Sequence, residues 1–160
     1  MRRIEWMKRA RRPIAITTDI IVGFPGETEE DLEATLALLD EVQYDSIFAF
    51  KYSRRPNTAA LALEDQVLEE EKVRRLAIVQ EKQRAIQLLR NAAYVGMVEE
   101  CLVEGFNKAT GQWIGRTSQN KTLNFLRPAS NKYDENLAGR YVDVRVTRAG
   151  PNSLAGECVN

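Results

Sequence analysis

The chain has 160 residues, 44% of them hydrophobic, and its 23 basic residues are balanced by 23 acidic ones. This length and composition indicate one globular domain or two small ones, and the zero net charge excludes an overall field that would attract nucleic acid or a membrane. The two cysteines, Cys101 and Cys158, lie far apart and histidine is absent, which excludes a zinc or iron–sulfur motif and a histidine-activated nucleophile within this chain.

The first segment, residues 2–12, holds six basic residues and one acidic residue. Ile4 and Met7 share a helical face, so the segment is predicted to be the tail of a helix that ends at Pro13. Its positive charges either form a solvated helix face or a patch for RNA. No apolar run approaches the length of a membrane span or signal peptide, so we expect a cytoplasmic protein with no membrane partner.

The apolar run Ile20–Val22 predicts a strand that is covered on both faces, and a glycine turn follows it directly. Gly23 and Gly26 permit backbone angles that other residues avoid, and Thr28 is predicted to cap the next helix together with Asp31. Strand, glycine turn and helix N-terminus together can bind a polar or anionic ligand at the edge of a sheet. The alternative is a simple chain reversal, because neither the P-loop spacing nor a complete GxGxxG is present.

A strand–helix–strand unit follows from the next two patterns. Leu32, Leu36 and Leu39 recur with helical spacing to about residue 42, and Ile47–Phe50 forms a second buried strand. Two parallel strands that are apolar on both faces need neighbours that this chain does not visibly encode. The pattern therefore suggests a piece of a larger barrel or sheet.

Two adjacent arginines, Arg54 and Arg55, come at the carboxyl end of the second strand. They can hold phosphate or carboxylate groups, or they can be ordinary rim charges.

One long helix is predicted from about residue 65 to residue 93. One face of it is marked by Val73, Leu76, Val79, Gln83, Ile86 and Leu89. The spacing is not a sustained heptad, which favours a packing and connecting helix over a coiled coil.

Five short strands separated by Gly and Asn turns follow. They are predicted at Val95–Val103, Trp113–Ile114, Thr122–Phe125, Tyr141–Thr147 and Ser153–Val159. Five strands in about 65 residues are enough for a small β-barrel.

Charge is unevenly distributed along these strands. Residues 105–133 contain no acid and five bases, which are Lys108, Arg116, Lys121, Arg127 and Lys132. Residues 95–104 contain three acids and no base, so one side of the barrel is predicted to be positive. Trp113 and Phe125 are either stacking surfaces for unpaired bases or parts of the core.

Three segments resemble a known family in the same order along the chain. Thr18–Thr28 (TDIIVGFPGET), Phe48–Ser53 (FAFKYS) and Gly115–Lys121 (GRTSQNK) closely resemble the carboxyl-terminal part of the MiaB-type tRNA methylthiotransferases. The resemblance covers almost the whole chain. It implies an α/β fragment of a partial parallel (βα) barrel of the radical S-adenosylmethionine type at residues 1–63, a connecting helix at 64–93, and a small all-β, OB-like TRAM barrel at 94–160.

The resemblance also implies site residues. In the family the glycine turn lies beside S-adenosylmethionine, and the matching candidates here are Asp19, Gly23, Pro25, Gly26 and Glu27. The candidates for RNA contact in the barrel are Arg116, Thr117, Asn120 and Lys121. Lys51, Tyr52, Arg54 and Arg55 are implied to lie near the cofactor or the tRNA. Arg54 and Asn57 depart from the family, which is expected to have proline and glycine there.

The family adds a methylthio group to a modified adenosine near the tRNA anticodon, using S-adenosylmethionine and 4Fe-4S clusters. The cluster cysteines of its amino-terminal region have no counterpart here, so this chain alone is not expected to catalyse the reaction. The resemblance implies tRNA and the missing amino-terminal cluster-binding region as partners, and that region belongs either to the same protein or to a separate polypeptide. Two alternatives remain open: a non-catalytic TRAM-type RNA-binding protein, and a methylthiotransferase that acts on a ribosomal protein.

Overall fold

A computed structural model describes residues 2–11, 13–64, 66–126 and 136–159. Within them the helices are α1 (Arg2–Lys8), α2 (Glu29–Val42) and α3 (Glu69–Ala92), with a short 3-10 helix at Ala59–Ala62. The strands are β1 (Thr17–Val22), β2 (Ser46–Lys51), β3 (Val98–Asn107), β4 (Gln112–Thr117), β5 (Thr122–Leu126), β6 (Tyr141–Ala149) and β7 (Leu154–Cys158). Ile16–Gln87 forms one compact unit, and the chain from Leu88 onward groups with Arg2–Ala15 in a second. No helix of the described ranges is long and apolar enough to cross a membrane.

The first unit contains the strand–helix–strand arrangement that the sequence predicts. β1 and β2 are parallel, in register from Thr17 opposite Ser46 to Val22 opposite Lys51, and α2 connects them. Leu32 and Leu39 of α2 are buried, because their spacing places them on one side of the helix. The helical prediction for this segment is confirmed.

One face of the two-stranded sheet is open. Ile21, Phe48 and Phe50 are each more than half exposed. Successive strand residues point to opposite faces, so these three side chains share the face opposite to the one that carries buried Val22. Among the described residues each strand pairs only with the other, so both edges of this sheet carry unpaired backbone groups.

The buried face of α3 agrees with the predicted one at Val79, Gln83 and Ile86 and differs from it near both ends of the helix. Its buried residues in the first unit are Lys72, Arg75, Val79, Gln83 and Ile86. Val73 and Leu89, which the apolar pattern assigned to the packed face, are more than half exposed. That part of the prediction is wrong because two cationic side chains with polar partners occupy the first turns of the buried face. Most of α3 also lies within the first compact unit.

The first helix is shorter than predicted. α1 ends at Lys8, with further turn hydrogen bonds from Arg9 and Ala10, rather than continuing to Pro13. None of its residues is buried, so no packed face extends it.

Strands β3 to β7 close into a five-stranded barrel in the order β3-β4-β5-β7-β6, with β6 pairing back to β3. All pairs are antiparallel except β5 with β7. The core contains Cys101, Val103, Leu123, Phe125, Leu137, Val144, Val146, Leu154 and Cys158. The predicted small barrel is confirmed, although its first strand begins at Val98 and extends to Asn107.

Two glycines let barrel strands approach closely. A Cβ on Gly115 would lie 2.4 Å from the Leu102 carbonyl oxygen, and one on Gly156 would lie 2.3 Å from that of Arg145. Any side chain at either position would therefore push neighbouring strands apart.

Candidate cofactor-side and RNA-binding sites

The glycine turn is closed by its own glutamate. Gly23 and Gly26 have φ angles of 71° and 82°, which glycine adopts without strain. Glu27 folds back so that its Oε2 accepts hydrogen bonds from the N–H groups of Gly23 at 2.7 Å and Phe24 at 3.3 Å. These two amides are therefore already satisfied within the turn.

Arg75 of α3 holds the other side of Glu27. Its Nη1 donates to Glu27 Oε1 at 2.8 Å and to the Glu27 carbonyl oxygen at 2.9 Å, and its Nε donates to Glu71 Oε1 at 2.7 Å. The Arg75 and Glu27 side chains are only 7% and 14% exposed. Burial lowers the pKa of Arg75, but its hydrogen bonds to Glu71 and Glu27 outweigh this and raise the pKa above the ordinary value. We call this pair the Glu27–Arg75 clamp.

The N-terminus of α2 is capped as the sequence predicts. Asp31 Oδ2 accepts from the Thr28 N–H at 2.9 Å, while Thr28 Oγ1 accepts from the Asp31 N–H at 3.2 Å. The hydrogen bonds from Thr28 lower the pKa of Asp31. The predicted capping pair is confirmed. The cap and the clamp together use the N–H groups of Gly23, Phe24, Thr28 and Asp31, so these four amides are not open to an anion.

Space for a ligand lies beside the turn, at the carboxyl ends of β1 and β2. A cavity of about 480 Å³ is walled by Ile21, Phe24, Phe50 and Tyr52, and Arg55 stands among its lining residues. Phe24 and Tyr52 meet edge to face with ring centroids 5.1 Å apart. The cavity walls are therefore largely apolar and aromatic, as in many small-molecule sites.

Lys72 of α3 underlies the turn. A Cβ on Gly23 would lie 2.4 Å from Lys72 Cγ, and Lys72 Nζ lies 5.4 Å from the centre of the Tyr52 ring. The Tyr52 hydroxyl is buried and has no hydrogen-bond partner within the described part of the chain. Gly23 is thus required both for its backbone angle and for its close contact with α3.

The structure brings the cofactor-side candidates only partly together. Gly23 and Pro25 are buried, Gly26 is exposed, and Glu27 belongs to the clamp. Asp19 stands on the open face of β1 opposite Phe48.

The arginine pair after β2 is solvent-exposed. Arg54 and Arg55 make no side-chain hydrogen bond or ion pair within the described ranges, although the Arg55 carbonyl oxygen accepts from Thr58 Oγ1 at 2.8 Å. Asn57 adopts a φ of 63°, in the left-handed region that favours glycine. This fits the family resemblance, which implies a glycine at this position.

The four RNA candidates in the barrel lie at the end of β4 and in the turn that connects it to β5. Thr117 is buried, and its Oγ1 accepts from the Lys121 N–H at 3.2 Å, while Asn120 adopts a φ of 60°. Arg116 is 42% exposed and has long contacts of 3.4 Å to Glu104 Oε2 and to the Asn120 carbonyl oxygen. Its guanidinium remains accessible from solvent.

Lys121 points to the end of α3. Its Nζ donates to Asn91 Oδ1 at 2.9 Å and lies 5.3 Å from the centre of the Tyr94 ring. These contacts give Lys121 a structural role beside any contact with RNA.

The structure decides between the two alternatives for the barrel aromatics in favour of the core, and it corrects the expected distribution of charge. Phe125 is fully buried and belongs to the core, and Trp113 packs against that core and, at 5.1 Å, against Phe106. The acidic and basic segments do not occupy separate sides, because antiparallel pairing of β3 with β4 places Glu104 beside Arg116. The predicted basic residues Arg127 and Lys132 lie outside the described residues.

Arg75 and Lys72 were not predicted from the sequence. The available signal was their helical spacing with Val79 and Gln83, which continues the buried face of α3 toward its N-terminus. An apolar-only pattern excluded them, although long cationic side chains bury their stems readily.

Comparison with known protein families supports the assignment of the barrel. Residues 92–159 match the model of the TRAM domain. This match and the closed five-stranded barrel agree with the domain type that the sequence resemblance implied.

Comparison with curated proteins covers nearly the whole chain. The chain is 64% identical over 157 residues to a protein of Solibacter usitatus and 55% identical over 160 residues to one of Koribacter versatilis, and both bear the name tRNA-2-methylthio-N(6)-dimethylallyladenosine synthase. These matches cover 98% and 99% of this chain but 35% of each relative. The chain thus spans about a third of the length of these relatives. Residues 92–159 are thus similar to the TRAM domain, and nearly the whole chain is similar to about a third of these two synthases.

Proposed function

We propose that the chain is the carboxyl-terminal portion of a tRNA methylthiotransferase, which adds a methylthio group to a modified adenosine near the anticodon, and that its TRAM barrel binds the tRNA. The observation that carries this proposal is 64% identity over 98% of the chain to a synthase of that name. The proposal also accounts for two different units, a first unit that exposes apolar surface and a barrel that surrounds its own core.

The first unit is proposed to be the last part of a partial (βα) barrel. Its two parallel strands have unpaired edges, and Ile21, Phe48 and Phe50 form an exposed apolar face. Parallel strands are normally covered on both faces. The remaining strands of a barrel, from the same protein or from a separate polypeptide, would cover this face and pair with the free edge of β1.

The cavity at the ends of β1 and β2 is proposed as one wall of an S-adenosylmethionine site. Its volume of about 480 Å³ and its aromatic lining from Phe24 and Phe50 suit a nucleoside-sized ligand. Asp19, Gly23, Pro25, Gly26 and Glu27 would shape this wall. Because the clamp holds the Glu27 side chain, Glu27 would contribute to the site by fixing the backbone conformation of the turn.

The residues of this chain do not fit a 4Fe-4S cluster. Such clusters take several cysteine thiolates, whereas Cys101 and Cys158 are the two cysteines present and both face the barrel core. Burial raises the pKa of Cys101 to about 11, which favours the thiol. No group of three or more possible ligands for a metal ion occurs among the described residues. Cluster chemistry would therefore have to come from the part of the enzyme beyond this chain.

RNA binding is proposed to involve the turn between β4 and β5. Arg116 is the best placed candidate, because its existing contacts are long and its guanidinium is accessible. Thr117 and Asn120 fix the turn, and Lys121 supports it from the inside. Arg54 and Arg55 of the first unit are proposed as additional phosphate contacts.

The test is tRNA binding by the full 160-residue chain as a function of salt. Arg116→Ala should weaken binding roughly uniformly across tRNA sequences and reduce the salt slope by about one. Lys108→Ala is the matched control, because it removes an exposed positive charge from the turn after β3. Binding and salt slope that are unchanged by Arg116→Ala would remove this turn from the interface, and absence of tRNA binding by the wild-type chain would refute the barrel's assigned role.

A non-catalytic TRAM-type RNA-binding protein is the second candidate. The closed barrel favours this candidate, because it surrounds its own core and needs no further domain to cover it. Mixing the chain with the amino-terminal two-thirds of the Solibacter usitatus relative distinguishes the two candidates. A stable complex supports the methylthiotransferase proposal, whereas RNA binding without complex formation favours the second candidate.

A further inference from the structure

The barrel carries a polar pocket that lies away from the turn between β4 and β5. It has a volume of about 320 Å³ and is lined mainly by ends of β4, β6 and β7 and the middle of β5. The side chains that matter are Gln112, Asn124, Arg148, Ser153 and Ala155. This size lies at the small end of the range for ligand pockets, roughly 300–1,000 Å³.

A β-bulge places Arg148 on the outside of the barrel. Val146 pairs with Gly156 and Arg148 pairs with Ala155, so Thr147 is the extra residue of β6. Without the extra residue, strand alternation would pair Arg148 with Leu154, which faces the core. The irregularity in β6 therefore turns a cationic side chain from the interior to the surface.

Arg148, Ala155 and Asn124 form a row across three neighbouring strands. Arg148 is opposite Ala155 on β7, and Ala155 is opposite Asn124 on β5. Cross-strand partners share a face, and neighbouring strands are about 4.8 Å apart. Because alanine is the middle member, a depression remains between the guanidinium of Arg148 and the carboxamide of Asn124.

The floor of the pocket is held by a buried residue. Asn91 Nδ2 donates to the carbonyl oxygens of Gly150 at 2.8 Å and Pro151 at 3.1 Å. The Gly150 N–H donates to the Ser153 carbonyl oxygen at 2.8 Å, which closes the turn between β6 and β7. This turn is therefore fixed before any ligand binds, which reduces the entropic cost of binding.

The lining chemistry suits a nucleotide. Within the described part of the chain Arg148 has no side-chain hydrogen bond or ion pair, and no acidic residue lines the pocket. A guanidinium binds phosphate oxygens well, while the carboxamides of Gln112 and Asn124 can donate to and accept from the edge of a base. None of the described residues that line the pocket is aromatic, so recognition here uses hydrogen bonds and shape rather than stacking.

We propose that this pocket binds one unpaired ribonucleotide of the bound RNA, with Arg148 on its phosphate and Asn124 and Gln112 on its base. The inference rests on the proposed function that the barrel binds RNA. Gln112 and Arg116 are four residues apart on β4, or about 13 Å at strand rise. An RNA strand can therefore reach this pocket and the β4–β5 turn at once.

The experiment measures binding of the full chain to bulk bacterial tRNA, to a short single-stranded RNA and to a duplex of the same length. Arg148→Gln should weaken binding to tRNA and to the single strand about tenfold and reduce the salt slope by about one. Ala155→Leu should fill the depression and weaken binding to the same two RNAs while leaving the salt slope unchanged. Neither change should affect duplex binding by more than about twofold.

Arg145→Gln is the matched control. Arg145 is also exposed on β6, but it stands opposite Glu157 and donates to the Gly96 carbonyl oxygen at 3.3 Å, away from the pocket. Equal effects of Arg145→Gln and Arg148→Gln, or normal binding by Ala155→Leu, would overturn the proposal that the pocket binds a nucleotide. Either result would leave the proposal of RNA binding by the barrel intact. If the folded wild-type chain binds none of the three RNAs, the proposed function fails and the pocket fails with it.

Discussion

Breaking the Glu27–Arg75 clamp should selectively destabilise the first unit. Arg75→Met keeps much of the side-chain volume but removes the donors to Glu27 Oε1, the Glu27 carbonyl oxygen and Glu71 Oε1. The carboxylate of Glu27 then stays nearly buried without its cationic partner. Removing one member of a buried pair typically costs 3–5 kcal/mol, and because Glu27 keeps its two amide hydrogen bonds we expect a loss of about 3 kcal/mol.

Two optical signals separate the two units in a denaturant titration. The tryptophans, Trp6 and Trp113, both belong to the second unit, whereas α2 lies in the first and α3 mostly does. Far-ultraviolet circular dichroism therefore follows mainly the first unit, and tryptophan fluorescence follows the second unit, with Trp113 as its reporter in the barrel. Arg75→Met should shift the dichroism transition to lower denaturant and leave the fluorescence transition in place.

Arg74→Met is the control on the adjacent residue. Arg74 is 45% exposed and pairs with Glu29 and Glu71, and exposed pairs of this kind contribute little to stability because solvent screens them. A double-mutant cycle of Glu27→Gln with Arg75→Met should give a coupling of about 1–3 kcal/mol. Equal losses for the two arginines, or additive effects in the cycle, would show that the clamp does not hold the unit together.

Three further predictions concern acid, the glycine turn and the barrel core. Hydrogen bonds from Arg74 and Arg75 lower the pKa of Glu71 from 4.5 to about 2, so its contribution to stability is present above about pH 4.5 and is lost as the pH falls toward 2. Over that range the dichroism transition should move to lower denaturant concentration, and it should move less in Glu71→Gln. Gly26→Ala should lower the stability by about 1–2 kcal/mol because of its positive φ. Gly23→Ala should lower it further because its Cβ would also clash with a side chain of α3, and thermal melting of the two variants compares these losses. Burial raises the pKa of Cys101 to about 11, so alkylation of this thiol at neutral pH should be slow in the folded chain and fast after unfolding, as mass spectrometry would show.

Regular elements were predictable from the sequence because their patterns are local. The leucine spacing of α2, its cap at Thr28 and Asp31, and the alternating strands of the barrel all depend on neighbours within a few residues. Charge along the barrel was harder, because pairing of β3 with β4 brings Glu104 beside Arg116 from a segment assigned to another side. The distribution of charge along the chain therefore does not predict the distribution of charge over the surface of a closed barrel.

Site details were less predictable because they depend on long-range contacts. The glycine turn was expected to offer amides to a ligand, but Glu27 satisfies those of Gly23 and Phe24, and Arg75, far along the chain, fixes Glu27. The bulge that exposes Arg148 has no signature in an alternating pattern, which would place this residue in the core. In both cases one residue outside the regular pattern decides the chemistry of the surface.

The two units differ in how much of their stability they contain themselves. The barrel pairs every strand on both sides and surrounds its own core, whereas the first unit leaves Ile21, Phe48 and Phe50 more than half exposed. Full burial of such a side chain contributes roughly 1.5–3 kcal/mol, so covering the exposed halves of these three would add about 3 kcal/mol. That gain equals the expected cost of breaking the Glu27–Arg75 clamp. The clamp is therefore most important when the open face is uncovered, and a partner that covers this face should reduce the fraction of the chain that Arg75→Met unfolds.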